Sequence, residues 1–411
     1  MNILYINHYA GSIYHGMEYR PYYLAREWVK MGHNVTIVAS NLSHIRQKNI
    51  TIPAGENYLE EYIDGIRYIW CKTTDYQENG LKRVINIASF INRVWNLQNE
   101  LIATNKPDLI IASSTYPFDT LIGKALAKKT NAKFVYEVHD LWPLTPMEVG
   151  GMSKWHPFIM TMQWAENYGY KHADKVVSLL PKAKNYMIEH GMSADKFIYI
   201  SNGVAVNDWL EHTQALPERL LVKIERLRHD GKFILGYAGG MSESNALKYL
   251  ISAMQNLVNQ PISLVLAGDG VLRNELEELV KAYNLTNVHF IGSIPKLQVP
   301  SFLQLCDALY IGWHKLPIYR FGICPNKLFD YMLATKPVIH SVSAGNDLVV
   351  EANCGISVEA ENIEQIANAL HQISVMRNSE LRALGQNGNK FVREHHDYAY
   401  LATRFLSECG L

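Results

Sequence analysis

The sequence lacks the features that define several large classes of protein. In its 411 residues no apolar run approaches the ~18–20 residues that a membrane-spanning helix needs. Lysine plus arginine number 39, as do aspartate plus glutamate, so no charge excess indicates nucleic acid as a partner. The beginning, MNILYINHYAG, has neither a basic segment nor a cleavage site, and we predict a first strand there and no signal peptide.

Cysteine is scarce and scattered. The five cysteines show no paired spacing: Cys71, Cys306, Cys324, Cys354 and Cys409. A disulfide framework or a zinc site is therefore not expected, and the chain suits the reducing cytoplasm.

Short apolar runs alternate with amphipathic stretches along nearly the whole chain. In the first half these runs predict buried strands: NILYI (2–6), NVTIVAS (34–40), IRYIW (66–70), DLIIAS (108–113), KFVYEV (133–138), KVVSLL (175–180) and FIYIS (197–201). Among the stretches between them, EYRPYYLAREWVKMG (18–32) has an apolar helical face and ends at a glycine. The alternation predicts an α/β fold with a parallel, doubly wound sheet.

A second series of runs begins near residue 232: KFILGYAG, SLVLAGDG, NVHFIG, DALYIG, KPVIHS and GISV. Residues 204–231, between the two series, are polar and predict a linker with one helix. Because the chain is too long for one core, we predict two Rossmann-like domains, 1–205 and 206–395, that face a central cleft. The last helix, about 396–411, is expected to pack back onto the first domain.

Two candidate ligand sites follow strands of the first half. Gly11 lies in a loop before the helix 18–32, where outward-pointing amides would suit an anion, although a plain connection is the alternative. Glu18 and Arg20 nearby are weaker candidates. His139 and Asp140 directly follow KFVYEV, where an imidazole can donate to a substrate hydroxyl and the following carboxylate can orient the imidazole or bind a hydroxyl itself. The alternative is a satisfied histidine followed by a helix cap.

Two candidate loops follow strands of the second half. Gly239, Gly240 and Met241 would offer free amides to a phosphate, although their spacing is neither the dinucleotide fingerprint nor a P-loop. Backbone groups of Ser293 and Ile294, after NVHFIG, are placed to contact a base at its edge. Each loop is also compatible with an ordinary turn.

The stretch YRFGICPNKLFDYMLATKPVIH (319–340) carries the most specific pattern. Its apolar residues at helical spacing predict one buried face: Leu328, Phe329, Met332 and Leu333. Lys327 lies in the first turn of this helix, where the helix dipole disfavours a cation unless an anion is shared there. Asp330, one turn further on, can bind vicinal hydroxyls such as those of a ribose. An i,i+3 pair between the two side chains is the alternative.

Together these stretches resemble the retaining glycosyltransferases of family 4 (group 1), which share the GT-B fold. The resemblance covers nearly the whole chain. It rests on the N-terminal glycine loop with LAREWVKMGHNVTIV and on EVHD, YISNGV, YAGGMSESNALKYLISA, LVLAGDG, FIGSIP and PNKLFDYMLATKPVI. More narrowly, VHDLWP and FGICPNKLFDYM resemble the branch that makes bacterial surface polysaccharides (lipopolysaccharide O-antigen, capsule), including transferases of N-acetyl-fucosamine-type sugars.

The resemblance implies roles for individual residues. Asp330 occupies the place of the second glutamate of the family's Glu-x7-Glu motif, which holds the nucleotide ribose, and Lys327 lies where this branch meets the donor diphosphate. The resemblance also places Gly11 and Gly240 in the two loops that meet at the phosphates, and it places His139 where the family contacts the donor sugar. The expected donor-binding residues are Gly11, Gly239, Gly240, Met241, Ser293, Ile294, Gly322, Ile323, Cys324, Asn326 and Asp330, and the expected catalytic residues are His139, Asp140 and Lys327.

The sequence departs from the family pattern at two places. The first glutamate of the motif would fall at Gly322, so the usual carboxylate contact to donor-sugar hydroxyls is missing. The usual arginine and lysine after the second domain's first strand are missing too, since MSESNALK supplies only Lys248. We infer that Lys327 and backbone amides carry more of the phosphate charge, and we hypothesise a deoxy or N-acetylated donor sugar.

The activity implied is transfer of a sugar, with retention, from a nucleotide-sugar (UDP-linked) to a saccharide or polyprenyl-diphosphate-linked acceptor. No Asp-x-Asp signature and no covalent nucleophile stand out, so we expect no metal or cofactor and favour front-face attack over double displacement through Asp140. The alternatives are a non-catalytic GT-B subunit that binds sugar nucleotides or assembles a complex, a nucleotide-sugar 2-epimerase, and an inverting transferase.

Two segments bear on membrane contact. Residues 81–99 have an apolar face with basic residues beside it: Leu81, Val84, Ile85, Ala88, Ile91 and Trp95, next to Lys82, Arg83 and Arg93. Residues 151–164, GMSKWHPFIMTMQW, are rich in Trp, Phe and Met. Each segment is compatible with docking on the inner face of the cytoplasmic membrane, where a lipid-linked acceptor lies, or with packing against the core.

Overall fold

The computed structural model describes residues 1–44, 46, 48–76, 80–211 and 213–411. The chain divides into two compact units. The first comprises Met1–Asn202 with Tyr398–Leu411, and the second comprises Gly203–Asp397. The first unit thus holds both ends of the chain, and the second is an insertion between its last strand and its last helix.

Each apolar run named in the first half forms a strand of one sheet. The strands are β1 (Asn2–Ile6), β2 (Asn34–Ser40), β3 (Tyr58–Ile63), β4 (Ile66–Cys71), β5 (Leu109–Ala112), β6 (Lys133–Val138), β7 (Lys175–Ser178) and β8 (Phe197–Tyr199). They pair in the order β3-β4-β2-β1-β5-β6-β7-β8, parallel except for the antiparallel β3–β4 hairpin. The edge strand β3, YLEEYI, was not predicted, because it has no apolar run.

Helices of the first unit lie between these strands. They are α1 (Arg20–Lys30), α2 (Leu81–Thr104), α3 (Asp119–Thr130), α4 (Leu144–Glu148), α5 (Pro157–His172) and α6 (Lys184–Glu189). In α1 the side chains of Tyr22, Leu24 and Trp28 are fully buried, and the Trp28 ring lies 5.9 Å from that of Tyr5 in β1. This contact holds the second half of α1 against β1.

The second unit has a parallel sheet of its own. Its strands are β9 (Phe233–Ala238), β10 (Ile262–Ala267), β11 (Val288–Gly292), β12 (Ala308–Gly312), β13 (Val338–Ser341) and β14 (Gly355–Val358). They pair in the order β11-β10-β9-β12-β13-β14. Its helices are α7 (Val206–Glu211), α8 (Glu218–His229), α9 (Leu247–Gln255), α10 (Arg273–Ala282), α11 (Val299–Gln304), α12 (Asn326–Leu333), α13 (Leu348–Glu351), α14 (Ile363–Ser374) and α15 (Asn378–His395).

The segment 204–231 contains two helices, α7 and α8, so the prediction of one helix there was wrong. Pro217 lies directly before α8 and separates the two. Trp209 of α7 and Ile224 of α8 belong to the hydrophobic core on one side of the second sheet. Burial of these two side chains orders a segment whose composition indicated a linker.

The helix α12 confirms the prediction from its apolar spacing. Leu328, Phe329 and Met332 are fully inaccessible to solvent, and Leu333 is nearly so. Each such side chain contributes about 1.5–3 kcal/mol of burial free energy, so the helix is fixed firmly against the sheet. Its first turn, with Lys327, is therefore held at a defined position.

The last helix, α16 (Tyr398–Glu408), packs on α1 in the first unit. The Trp28 indole donates to the Ala402 carbonyl at 3.0 Å, and the Trp28 and Phe405 rings are 5.3 Å apart. In the part of the chain that the structure describes, no helix is long and apolar enough to cross a membrane.

Candidate active site

In both units the candidate residues follow the carboxyl ends of parallel strands, where open α/β sheets bind their ligands. Gly11 follows β1, His139 follows β6, Gly240 follows β9 and Ser293 follows β11. Lys327 and Asp330 lie in α12, which follows β12.

The loop after β1 is held by its own backbone hydrogen bonds. The Gly11 amide donates to the Glu18 carbonyl at 2.8 Å, and the Ser12 and Gly16 amides donate to each other's carbonyls. The expectation of outward-pointing amides is therefore wrong for these residues. A Cβ at Gly11 would lie 1.9 Å from the Gly16 carbonyl oxygen, so glycine is needed there because the two backbone segments approach closely.

His139 is held by a carboxylate that is not among the predicted site residues. Its Nε2 lies 3.1 Å from Oε2 of Glu137 and 2.9 Å from Oγ of Ser113. Glu137, at a buried position of β6, also forms an ion pair with Arg20 at 2.9 Å. Burial would raise the pKa of Glu137, but the Arg20 charge and the contact with His139 hold it well below its usual range.

Asp140 does not orient His139. Its side chain is exposed, and among the described residues it forms no hydrogen bond with the imidazole. That role falls to Glu137. An ionisable residue inside the buried run KFVYEV is the signal that would have found it, since a charge in such a run needs a partner.

The loop after β9 offers fewer free amides than expected. The Gly239 amide donates to the Ala267 carbonyl at 3.0 Å, and the Met241 amide to the Asp269 carbonyl at 2.8 Å. Within the described ranges the Gly240 amide forms no hydrogen bond. The expectation of three free amides is thus wrong for Gly239 and Met241, because both are tied to the end of β10, and Gly240 remains available for an anion.

Lys327 is held directly beside this loop. Its ammonium donates to Tyr237 Oη at 3.0 Å and to Asn245 Oδ1, and it lies 4.7 Å from the centre of the Tyr237 ring. Burial lowers the pKa of Lys327 to about 8. An ammonium has three N–H groups and two are used, so one remains for a ligand. The described partners of the Lys327 ammonium are Tyr237 and Asn245, and among the described ion pairs it forms none with Asp330, so the i,i+3 alternative is wrong.

Asn245 and Tyr237 connect the lysine to the glycine loop. The Tyr237 hydroxyl donates to the Gly240 carbonyl at 2.7 Å, and the Asn245 amide donates to the same oxygen at 3.0 Å. Lys327 and Gly240 are therefore fixed relative to each other by two bridging side chains. Neither side chain was predicted, because neither is a charged group in a recognisable motif.

Asp330 lies near the segment expected to contact a base. Burial raises its pKa to about 6, and this is opposed by the positive charge of Lys296 and by the Trp209 indole. Lys296 is two residues beyond Ile294. In the described residues the backbone groups of Ser293 and Ile294 form no hydrogen bond, so they are available to a ligand.

The loop before α12 is closed by an asparagine. The Ile323 amide donates to Asn346 Oδ1 at 2.8 Å, and Asn346 Nδ2 donates back to the Ile323 carbonyl at 3.2 Å. The Gly322 amide donates to the Tyr319 carbonyl, and Gly322 adopts a positive φ of 105°. Cys324 is half-buried and Asn326 exposed. At Gly322, where the family's carboxylate would stand, this loop has a backbone turn.

Solved glycosyltransferase structures resemble this one along its whole length. Sucrose-phosphate synthase from Thermosynechococcus elongatus matches with a TM-score of 0.71 and 18% identity, covering 99% of this chain and 98% of that one. HepE from Anabaena in complex with UDP-glucose matches with a TM-score of 0.65 and 15% identity, covering 99% and 98%. The two parallel-sheet units thus form the GT-B fold of glycosyltransferases.

Two family models match successive parts of the chain. The glycosyl transferase 4-like domain matches residues 15–203, and the model for glycosyl transferases group 1 matches residues 222–391. A curated relative is the putative colanic acid biosynthesis glycosyl transferase WcaI of Escherichia coli K12, which is 23% identical over 363 residues, or 84% of this chain and 86% of that protein. The protein is therefore an enzyme, a group 1 glycosyltransferase.

Proposed function

We propose that the enzyme transfers a sugar, with retention, from a UDP-linked donor to a saccharide or polyprenyl-diphosphate-linked acceptor in bacterial surface polysaccharide synthesis. The observation that carries the proposal is the fixed pair of Lys327 and Gly240, whose unused N–H groups suit a diphosphate. Asp330 and the free backbone of Ser293 and Ile294 suit a ribose and a base. Two relatives give further support: HepE binds UDP-glucose, and WcaI is named for colanic acid biosynthesis.

The central chemical demand is the negative charge that develops on the leaving diphosphate. The bond between the anomeric carbon and the β-phosphate oxygen breaks while an acceptor hydroxyl attacks from the same face. The acceptor's proton passes to the departing phosphate, so no protein base is required. Lys327 and the Gly240 amide are preorganised donors for that charge, and stabilisation by such donors is usually the largest single contribution to catalysis. We propose that the transfer requires no added metal, and turnover in the presence of EDTA tests this.

The donor sugar is proposed to be deoxy or N-acetylated, because Gly322 replaces the carboxylate that would hold sugar hydroxyls. Turnover across a panel of nucleotide-sugars, with the product analysed by NMR, tests both donor and stereochemistry. We expect UDP-linked deoxy or N-acetyl sugars to react with retention. A strong preference for UDP-glucose contradicts the proposed sugar, and an inverted product or epimerised donor contradicts the proposed reaction.

The non-catalytic alternative of the sequence analysis, which rested on the missing carboxylate at Gly322, makes a contrasting prediction. It predicts that Lys327→Met and Asp330→Asn leave cellular polysaccharide unchanged. The enzyme proposal predicts loss of polymer in both strains. Complementation of a deletion strain, with protein levels checked by immunoblot, separates the two.

Membrane contact is proposed for the segment around the start of α5. Trp155 and Trp164 are 71% and 58% exposed, Met160 is exposed beside them, and the Lys154 ammonium lies over the Trp155 ring. Exposed tryptophans next to a cation suit a bilayer interface. The double variant Trp155→Ala/Trp164→Ala should no longer float with anionic vesicles. Tyr62→Ala, which removes an exposed aromatic side chain of β3, should float as the wild type does. Equal flotation of the wild type, the double variant and Tyr62→Ala would refute this proposal.

The segment 81–99 supports the same proposal less directly. Residues buried in α2 are Ile87, Phe90 and Val94, whereas Leu81 and Trp95 of the predicted face are exposed. The core-packing alternative is therefore wrong for Leu81 and Trp95, whereas Ile91 of the same face packs against a buried cluster.

A further inference from the structure

Glu137 stands out among the buried charged residues of the first unit. It lies inside the central strand β6, and its carboxylate is fully inaccessible to solvent. Oε1 accepts from Nε of Arg20 at 3.0 Å, and Oε2 accepts from the Ser113 hydroxyl at 2.6 Å and from the Tyr5 hydroxyl. These contacts fix the carboxylate in one orientation.

The same Oε2 atom faces the imidazole of His139 at its Nε2, 3.1 Å away. Since Ser113 donates its own proton to Glu137, its oxygen can only accept from Nε2, at 2.9 Å. Both neighbours of Nε2 therefore require it to carry a proton. Among the described residues Nδ1 of His139 has no hydrogen-bond partner.

We propose that Glu137, held by Arg20, is a positioning residue that fixes His139 as the Nε2–H tautomer and leaves Nδ1 as the nitrogen that contacts the substrate. Nδ1 then donates to an oxygen of the transferred sugar when the ring is charged and accepts when it is neutral. The assignment of the proton to Nε2 follows from the hydrogen-bond geometry alone. The contact between Nδ1 and the sugar rests, in addition, on the proposed glycosyl transfer.

The charges around the ring favour its protonated form. Burial opposes protonation of His139, but the hydrogen bond and charge of Glu137 raise its pKa, helped by Glu18 and opposed by Arg20. Asp140, the next residue, adds a further carboxylate, and Tyr5 approaches from β1 as a neutral hydroxyl. The imidazolium therefore persists to a higher pH than in a free histidine, and with it the Nδ1–H donor.

Long-range ¹H–¹⁵N NMR of histidine-labelled protein tests the tautomer without any substrate. The chain has 16 histidines, so a His139→Asn spectrum identifies the resonances of interest. We expect Nε2 to remain protonated from pH 5 to 9, while Nδ1 titrates with a midpoint above about 6.5. A pyridine-type Nε2 with a protonated Nδ1 at high pH would overturn the proposal.

Two variants separate the roles of the neighbours of Nε2. Glu137→Gln should lower the Nδ1 midpoint, because the neighbouring negative charge is lost. Because that change leaves Arg20 without its buried partner and can prevent folding, Ser113→Ala serves as a second variant that keeps the Arg20–Glu137 ion pair. It should leave the tautomer unchanged, and a switch of tautomer in Ser113→Ala would show that Ser113, not Glu137, sets it.

Addition of UDP and of UDP-sugars to the labelled protein completes the test. We expect Nδ1 to shift with a UDP-sugar and not with UDP, and Nε2 to stay unchanged with both. A shift confined to Nε2 contradicts the assignment of the contacting nitrogen. If no nucleotide-sugar binds at all, the proposed function fails, whereas the tautomer result still decides the positioning role of Glu137.

Discussion

The substitution Asp330→Asn removes one charge from the proposed ribose contact and keeps the size of the side chain. A hydrogen bond to a charged group contributes about 1.5–3 kcal/mol, which corresponds to a loss of roughly 10- to 150-fold in affinity for UDP. The half-buried position of Asp330 supports the upper part of this range, since burial already raises the pKa of the carboxyl to about 6.

Isothermal titration calorimetry with two ligands isolates this contact. We expect Asp330→Asn to weaken UDP strongly and to weaken 2′,3′-dideoxy-UDP, which lacks both hydroxyls, hardly at all. Asp230→Asn, at an exposed carboxylate beyond α8, is the matched control and should bind both ligands as the wild type does. Equal weakening of both ligands by Asp330→Asn would refute a ribose contact.

The pH dependence of UDP binding gives a second signature of Asp330. With a pKa of about 6 in the free protein, the carboxyl is ionised at pH 8 and becomes protonated as the pH falls through 6. A protonated carboxyl accepts the ribose hydroxyls more weakly, so wild-type affinity should fall between pH 7 and 5 by more than that of Asp330→Asn. Parallel pH profiles for the two proteins would contradict this reasoning.

Two other predictions concern the phosphate loop and the core. A Cβ at Gly239 would lie 3.0 Å from Lys327 Nζ and 3.1 Å from Tyr237 Oη, so Gly239→Ala should weaken UDP binding in calorimetry. Gly240→Ala should cause a smaller loss, because a Cβ there would come no closer than 4.0 Å to its nearest neighbour, the Asp269 carbonyl oxygen. Burial raises the pKa of Glu166 to about 8, so the folded state holds this proton more tightly than the unfolded state does. The free energy of unfolding in urea should therefore decline from pH 5 to 8 by at most about 4 kcal/mol, since one proton contributes at most about 1.4 kcal/mol per pH unit. Glu166→Gln should remove this decline.

The strands and the positions of the ligand loops were predictable because both follow from local patterns. Apolar runs and helical periodicity place β6 and β9, and parallel connectivity puts the residues after them at one edge of a sheet. The first turn of α12 was predictable in the same way, since the helix is amphipathic and Lys327 and Asp330 stand at known offsets within it.

The partners of these residues were not predictable, because they are distant in sequence. Asn245 and Tyr237 contact Lys327 across 82 and 90 positions, and Arg20 contacts Glu137 across 117. The amides of Gly239 and Met241 looked free for the same reason, since their acceptors belong to the end of the neighbouring strand β10. A pattern can place a donor at a sheet edge, but it cannot show whether another segment already uses it.

The most direct test of the proposed donor site compares UDP with uridine in calorimetry of Lys327→Met. Loss of the ammonium should weaken UDP by roughly 10- to 150-fold and leave uridine unchanged, because a charge-assisted hydrogen bond contributes about 1.5–3 kcal/mol and uridine has no phosphate. Lys248→Met, at a half-exposed lysine in α9, should bind both ligands as the wild type does. Unchanged UDP affinity in Lys327→Met, or equal weakening of UDP and uridine, would contradict the assignment of Lys327 to the diphosphate.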